Sequence, residues 1–156
     1  MMTTLALGIV IATQSTTDLK TLLYEGYQDE RMAHASYTAV LKRFPNKKPF
    51  ANIVKSEAQH TEMMIKLIKV RNWEVPADAW SQKKDETDAQ FLTRLKTPTD
   101  WKAALQVGVD VEKADIEFLT RALKQDLPED VKKSLQQLLY VSQNNHLPAF
   151  ERALRR

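Results

Sequence analysis

The chain has 156 residues, of which 43% are hydrophobic and 28% charged, the length and composition of one globular domain with a substantial core. Its formal charge is only +3, and its basic pairs are scattered among acidic residues, which argues against a nucleic-acid-binding surface. Because the sequence contains no cysteine, disulfides, thiolate metal sites and cysteine catalysis are all excluded.

The first segment, residues 1–16, has two open interpretations. Its apolar run from Leu5 to Ala12 is too short to span a bilayer, so we expect no membrane span here. The run has the length of a signal-peptide core, yet no Lys or Arg precedes it and no clear cleavage site follows. Either it is an arm that packs on the domain or on a second copy in a homodimer, or Met1 to Gln14 is an export signal. The compartment stays open, with the cytoplasm favoured.

Residues 17–156 are predicted to form one domain of four long helices. Each helix begins at capping or first-turn residues, and prolines lie near the boundaries. For helix C, Thr97 is the expected cap and Pro98 lies in the first turn. The expected ranges are about 18–44 for helix A, 49–72 for helix B, 97–125 for helix C and 128–156 for helix D, with a kink at Pro148.

The connections between these helices predict the topology. The A–B and C–D connections are short and therefore require antiparallel hairpins. Residues 73–97 carry little helical signal, and a segment of this length can cross the whole bundle. We therefore predict an all-α fold: an antiparallel four-helix bundle made of two helical hairpins joined by a long crossover.

The two predicted hairpins repeat each other. Residues 56–60 read SEAQH on helix B, and residues 142–146 read SQNNH on helix D. Gly26 on helix A and Gly108 on helix C each lie one turn before a glutamate. A glycine inside a helix costs about 1 kcal/mol relative to alanine, so we expect close approach of a neighbouring side chain at both positions. The pattern indicates a duplicated hairpin in which each copy supplies one acid and one histidine-bearing helix.

Five acidic and imidazole residues lie on the apolar seams of these helices, where an unpaired charge is costly to bury. They are Glu30, Glu57, His60, Glu112 and His146. If the seams converge, three carboxylates and two imidazoles meet in the interior, and the like charges repel or take up protons. One or two divalent cations would resolve this conflict, and carboxylate oxygen with imidazole nitrogen suits iron or manganese.

Four segments together resemble the ferritin-like superfamily, and within it the ferritin-like domain proteins of bacteria and archaea. They are DERMAHASY (29–37), PFANIVKSEAQH (49–60), GVDVEKADI (108–116) and HLPAFER (146–152), and the resemblance covers about residues 17–155. It implies the ferritin-like form of the bundle and a dinuclear iron centre, or one with manganese, held by the five residues above.

The same resemblance implies a range of activities rather than one reaction. Ferrous oxidation, peroxide reduction and oxygen activation are all compatible with it, with O₂ or peroxide as the small-molecule substrate and an oxidoreductase of the peroxidase or ferroxidase type as the possible enzyme. Rubrerythrins commonly append an iron site of four cysteines. Because this chain has no cysteine, its electrons would come from a separate donor.

One position departs from the full di-iron motif. Gln143 stands where the motif has glutamate, three residues before the last histidine, and a neutral amide is a poorer bridging ligand. Asp115, one turn after Glu112, is an alternative ligand, as is water, and a centre with a single ion is a further alternative. The competing hypothesis is a metal-free helical scaffold with a structural or interaction role.

Three further residues near the seams are assigned ordinary roles. We expect His34 at the surface, with an approach to the site as the alternative, and we expect Tyr37 and Tyr140 to pack in the core, with a hydrogen bond to a ligand as the alternative.

Overall fold

The computed structural model of the chain describes residues 16–156, with side chains from Asp18 onward, and every regular element in this part is helical. The predicted all-α class is therefore confirmed. The expectations for residues 1–15 lie outside the described residues. Among the described helices, none combines the length and apolar character needed to cross a membrane. The elements are α1 Thr16–Arg43, α2 Phe50–Lys69, α3 Asp88–Arg94, α4 Trp101–Ala122, α5 Glu129–Val141, a π-helical turn Ser142–His146, and α6 Leu147–Leu154.

The beginning of α4 differs from the expectation. Asp100, not Thr97, is the cap: its backbone is extended, and its Oδ1 accepts a hydrogen bond of 2.8 Å from the Ala103 N–H. Pro98 and Thr99 are not helical, so Thr97 lies outside the helix. A carboxylate at the cap also satisfies an otherwise free N–H of the first turn.

The crossover contains a short helix that was not expected, α3. A capping box begins it: the Gln90 N–H donates to Thr87 Oγ1 (3.3 Å), and the Thr87 N–H donates to Gln90 Oε1 (2.9 Å). Phe91 of α3 is buried in one cluster with Ala35 and Ala39 of α1. The small side chains of α1 leave room for this ring, and α3 is held against α1 by it.

The crossover runs beside α1 in the same direction for most of the length of that helix. Residues later in the crossover make polar contacts with residues later in α1. They pair Tyr24 with Glu74, Gln28 with Ala77, Arg31 with Asp78, and Lys42 with Asp88. A connection that follows a long helix in this way returns the chain to the opposite end of the molecule before α4 begins.

Buried apolar residues form two main clusters. Cluster 1 consists of Leu19, Leu22, Leu23, Tyr27, Met64, Leu67, Ile68, Phe118, Leu119, Ala122, Val131, Leu135 and Leu138. Cluster 2 consists of Ala33, Tyr37, Val40, Phe50, Ile53, Ala104, Leu105, Val109 and Phe150. On each long helical segment, a stretch that carries buried polar residues separates the parts that contribute to the two clusters. A polar layer therefore lies between two apolar ones.

The last helical segment contains a π-helical turn where a kink was expected. Proline has no N–H, and its ring clashes with the carbonyl four residues earlier in an α-helix. In the turn before Pro148, the Leu147 N–H bonds the Ser142 carbonyl, five residues back instead of four. This extra residue widens the helix locally, and it rotates the side chains of 142–146 relative to their places in a regular α-helix.

Both helical glycines accept a neighbouring side chain, as expected. A Cβ on Gly26 would lie 2.7 Å from Met64 Cε, the end of a flexible side chain, and 3.2 Å from a ring carbon of Phe118. A Cβ on Gly108 would lie 2.4 Å from two ring carbons of Phe150, which is fully buried on α6. Met64 can move at little cost and Phe118 needs a shift of only a few tenths of an ångström, whereas Phe150 is fixed by its surroundings.

Gly108→Ala is therefore expected to lower the free energy of unfolding by up to about 2 kcal/mol. Overpacking of a core costs about 1–3 kcal/mol, and the higher helix propensity of alanine returns about 1. Gly26→Ala is the matched control, and the propensity gain should leave it about as stable as the wild type. Urea unfolding of both variants measures the difference. Equal stability of the two variants would contradict the packing assigned to Phe150.

Candidate metal centre

The polar layer brings together the five residues that the sequence singles out, and each is at most 5% exposed. His60 Nδ1 lies 3.3 Å from Glu30 Oε2 and 3.2 Å from Glu57 Oε2. His146 Nδ1 lies 2.9 Å from Glu57 Oε1 and 3.4 Å from Glu112 Oε2. The two oxygens of Glu57 thus approach different histidines, and the donor atoms divide into two sets of three that share this one carboxylate.

Three of these donor atoms are buried without a hydrogen-bond partner among the described residues. They are the Nδ1 atoms of His60 and His146 and Oε1 of Glu57. A buried polar atom that makes no hydrogen bond is destabilising, and such atoms commonly mark a missing ion or water. Ligand atoms of these three residues all lie within 4.8 Å of one another. The residues present therefore fit a metal ion.

A single hydroxyl group holds the outer edge of both imidazoles. Ser56 Oγ lies 3.3 Å from His60 Nε2 and 3.0 Å from His146 Nε2. The two rings are stacked, with centroids 5.3 Å apart and an interplanar angle of 23°. A hydrogen bond to the outer nitrogen of a histidine fixes its ring orientation and leaves the inner nitrogen for a metal. Ser56 reaches both rings because it precedes His60 by one helical turn.

Tyr37 has a polar role in addition to the packing role expected for it. Its hydroxyl donates a hydrogen bond of 2.6 Å to Glu112 Oε1, while its ring packs against Phe50 and Phe150. The hydroxyl thereby orients a carboxylate whose other oxygen approaches His146. The sequence is compatible with this hydrogen bond, because Tyr37 follows Glu30 by two helical turns and therefore lies on the same seam.

Two other expectations for residues near the seams have different outcomes. Tyr140 is 64% exposed, so the expectation that it packs in the core is wrong. His34 is partly buried on α1 rather than fully at the surface, and burial together with the charge of Arg31 lowers its pKa. Neither side chain joins the cluster of five.

Gln143 does not reach the cluster. The π-helical turn directs Ser142 inward, where it is buried, and leaves Gln143 exposed to solvent. Ser142 Oγ donates a hydrogen bond of 2.8 Å to Asp115 Oδ2 on α4. The assignment of Gln143 as a ligand is therefore corrected, because the expected spacing assumes a regular α-helix through residues 142–146.

The charges of the cluster are strongly coupled. Burial alone would raise the pKa of Glu57, but the nearby imidazoles of His146 and His60 outweigh it and hold this pKa at about 2. Burial likewise opposes protonation of the two histidines, yet their acidic neighbours raise the pKa of His60 to about 10 and that of His146 to about 9.

The remaining carboxyl groups are not fully compensated by the two imidazoles. Burial is the main cause that raises the pKa of Glu30 and that of Glu112. Burial and the negative charges of Glu112 and Glu57 raise the pKa of Asp115 to about 7. Four carboxyl groups therefore face two imidazoles in this layer, an excess of acid that a divalent cation can neutralise.

A family model described as "Uncharacterized protein domain (DUF2202)" matches residues 18–156, which include every residue of the cluster. The chain belongs to the DUF2202 family. The DUF2202 chain is also similar in structure to a protein from Methanococcus jannaschii DSM 2661, whose crystal structure is titled that of the hypothetical protein MJ0754. The TM-score is 0.73 at 24% identity, and the match covers 92% of this chain and 83% of the other. No curated protein matches the chain.

Proposed function

We propose that this chain is a ferritin-like protein that binds two iron or manganese ions in its polar layer and acts as an oxidoreductase on O₂ or peroxide. The observation that carries the proposal is the division of the donor atoms into two sets. Glu30, His60 and one oxygen of Glu57 form the first set. Glu112, His146 and the other oxygen of Glu57 form the second.

The chemistry of the donor atoms favours these metals. Carboxylate oxygens combined with imidazole nitrogens suit iron and manganese, and no thiolate is available to select a softer ion. The long connection that follows α1 supports the ferritin-like order of two hairpins joined by a crossover. The similarity to the protein from Methanococcus jannaschii supports the fold alone.

When bound, a pair of such ions supplies electron transfer to dioxygen or peroxide. The chain's own residues would orient the ligands and exclude bulk water. Tyr37 fixes Glu112, and Ser56 fixes both histidines from their outer side. The apolar clusters above and below the polar layer keep it dry, which strengthens every electrostatic interaction within it. The reducing electrons come from a separate donor.

Elemental analysis of protein purified without chelators tests metal binding. We expect iron or manganese at up to two ions per chain, and a higher melting temperature with added Fe(II) than with chelator. A ligand that binds only the folded state at 100 times its Kd adds about 2.7 kcal/mol to the free energy of unfolding. Metal-free protein that melts identically in Fe(II) and in chelator would contradict the proposal and favour the scaffold.

The redox part of the proposal has its own test. Protein loaded with Fe(II) under anaerobic conditions and then mixed with O₂ or peroxide should oxidise the iron faster than Fe(II) in buffer. Stopped-flow absorbance in the near ultraviolet measures the rate. If bound iron were oxidised no faster than free iron, the proposed oxidoreductase activity would be contradicted, and metal binding alone would stand.

A further inference from the structure

We propose that Asp115, held by Ser142, is the fourth carboxylate ligand of the centre and is shared by the two ions. This inference rests on the proposed function, since it assigns one more ligand to the same centre. It places that ligand on α4, whereas the ferritin-like motif places it on the last helix, at the position of Gln143.

The π-helical turn explains why the position of Gln143 is not used. In a regular α-helix, residues three and four positions before His146 would both lie on its side of the helix. Here the Leu147 N–H bonds the Ser142 carbonyl, and the added residue in the turn leaves Ser142 buried and Gln143 exposed. The last helix therefore presents a hydroxyl group to the polar layer where the motif would present a carboxylate.

That hydroxyl group is bonded to a carboxylate from the neighbouring helix. Ser142 Oγ donates to Asp115 Oδ2 at 2.8 Å. Asp115 follows Glu112 by three residues, so both carboxylates leave α4 on one face. A carboxylate has lone pairs for a ligand bond as well as for the hydrogen bond from serine. Ser142 and Asp115 together thus supply the acid that the last helix lacks.

The position of Asp115 relates it to both donor sets. The charge of Asp115 raises the pKa of Glu30, which belongs to the set of His60, and the charge of Glu112, which belongs to the set of His146, raises the pKa of Asp115. Glu57 already joins the two sets through its two oxygens. The buried Nδ1 atoms of both histidines make no hydrogen bond within the described part of the chain and lie beside the two oxygens of Glu57, where they are available as ligands. With Asp115 as a second shared carboxylate, each set would contain four donor atoms instead of three.

The test compares Asp115→Asn, Ser142→Ala and the wild type in titrations with Mn(II), with free Mn(II) counted by electron paramagnetic resonance. We expect two ions per wild-type chain. Asp115→Asn should bind both ions more weakly, by at least about 100-fold, because a ligand of both positions is lost. Ser142→Ala should weaken both ions by about 10–100-fold, less than Asp115→Asn, because it removes only the hydrogen-bond partner of this ligand. Melting in chelator checks that each variant folds.

Gln143→Glu is the matched control, because it restores the acid of the motif at an exposed position. We expect the same two ions and the same affinities as in the wild type. Two ions bound with wild-type affinity by Asp115→Asn would overturn this inference and leave the proposed function standing. Tighter binding by Gln143→Glu would also overturn it. A wild-type chain that binds no Mn(II) and no Fe(II) would overturn the proposed function as well.

A crystal structure of the Mn(II)-loaded wild type tests the role of Asp115 without any variant. We expect anomalous peaks for two ions, with the carboxylate of Asp115 in coordination distance of both. Two ions with Asp115 coordinated to neither would overturn the inference alone.

Discussion

Glu57→Gln is expected to lose both metal ions, with affinities at least about 100-fold below those of the wild type. Its two carboxylate oxygens belong to different donor sets, one beside His60 and the other beside His146. A glutamine keeps one oxygen, and its NH₂ group is a donor that cannot act as a ligand. The loss should exceed the 10–100-fold typical of an outer-shell change, because an inner ligand of both positions is removed. Titration with Fe(II) or Mn(II) and elemental analysis measure it.

Glu62→Gln on the same helix is the control for this substitution. Glu62 is exposed, so the same chemical change should leave two ions bound with unchanged affinity. The melting temperatures of both variants in chelator show whether the metal-free fold persists. If Glu57→Gln bound two ions as tightly as Glu62→Gln, the two donor sets would not share this carboxylate, and the arrangement proposed for the centre would be wrong.

The end of α1 and the beginning of α2 could be predicted well from the sequence because local signals determine them. Pro45 and Pro49 lie in the short connection between these two helices. The short helix α3 was missed because seven residues are too few to show a helical period. Its capping box, Thr87 and Gln90, was readable in the sequence, but such a pair is decisive only when a buried residue such as Phe91 anchors the helix.

The same distinction between local and tertiary information applies to the polar layer. Glu57 and His60 could be placed on one face because their spacing of three residues is fixed by α-helical geometry. Their convergence with Glu30, Glu112 and His146 was inferred from the repeat of the hairpin, and the coordinates bring all five together. Their role as metal ligands stays a prediction until an ion is measured.

The prediction that Gln143 is a candidate ligand was wrong for a definite physical reason. A spacing rule for the last helix assumes that each residue advances by the same angle, and a π-helical turn breaks that assumption. Pro148 predicts that the last helix is irregular, but it does not predict the type of irregularity. A kink and a π-helical turn both relieve the clash of a proline ring. Asp115, which accepts a hydrogen bond from Ser142 of this turn, lies on another helix and 27 residues away in the sequence.

Phe150→Ala is expected to lower the free energy of unfolding by about 3–5 kcal/mol, a large part of the 5–15 kcal/mol that stabilises a typical domain. The ring is fully buried, with its centroid 4.8 Å from that of Phe50 and 5.4 Å from that of Tyr37. It also fills the space that Gly108 leaves on α4. Removal of the ring would open a cavity where α1, α2, α4 and α6 meet.

The same substitution should weaken metal binding, because two neighbours of the ring position ligands. His146 lies four residues before Phe150 on the same helical segment, and Tyr37 holds Glu112 through its hydroxyl. Urea unfolding in chelator separates the packing effect from the metal effect, and a Mn(II) titration of the folded variant then measures the second. Tyr140→Ala is the matched control: it removes an aromatic ring that is 64% exposed and should change the stability by less than about 0.5 kcal/mol. A Phe150→Ala variant no less stable than Tyr140→Ala would mean that α6 does not depend on this ring, and His146 would then need another anchor to stay beside Glu57.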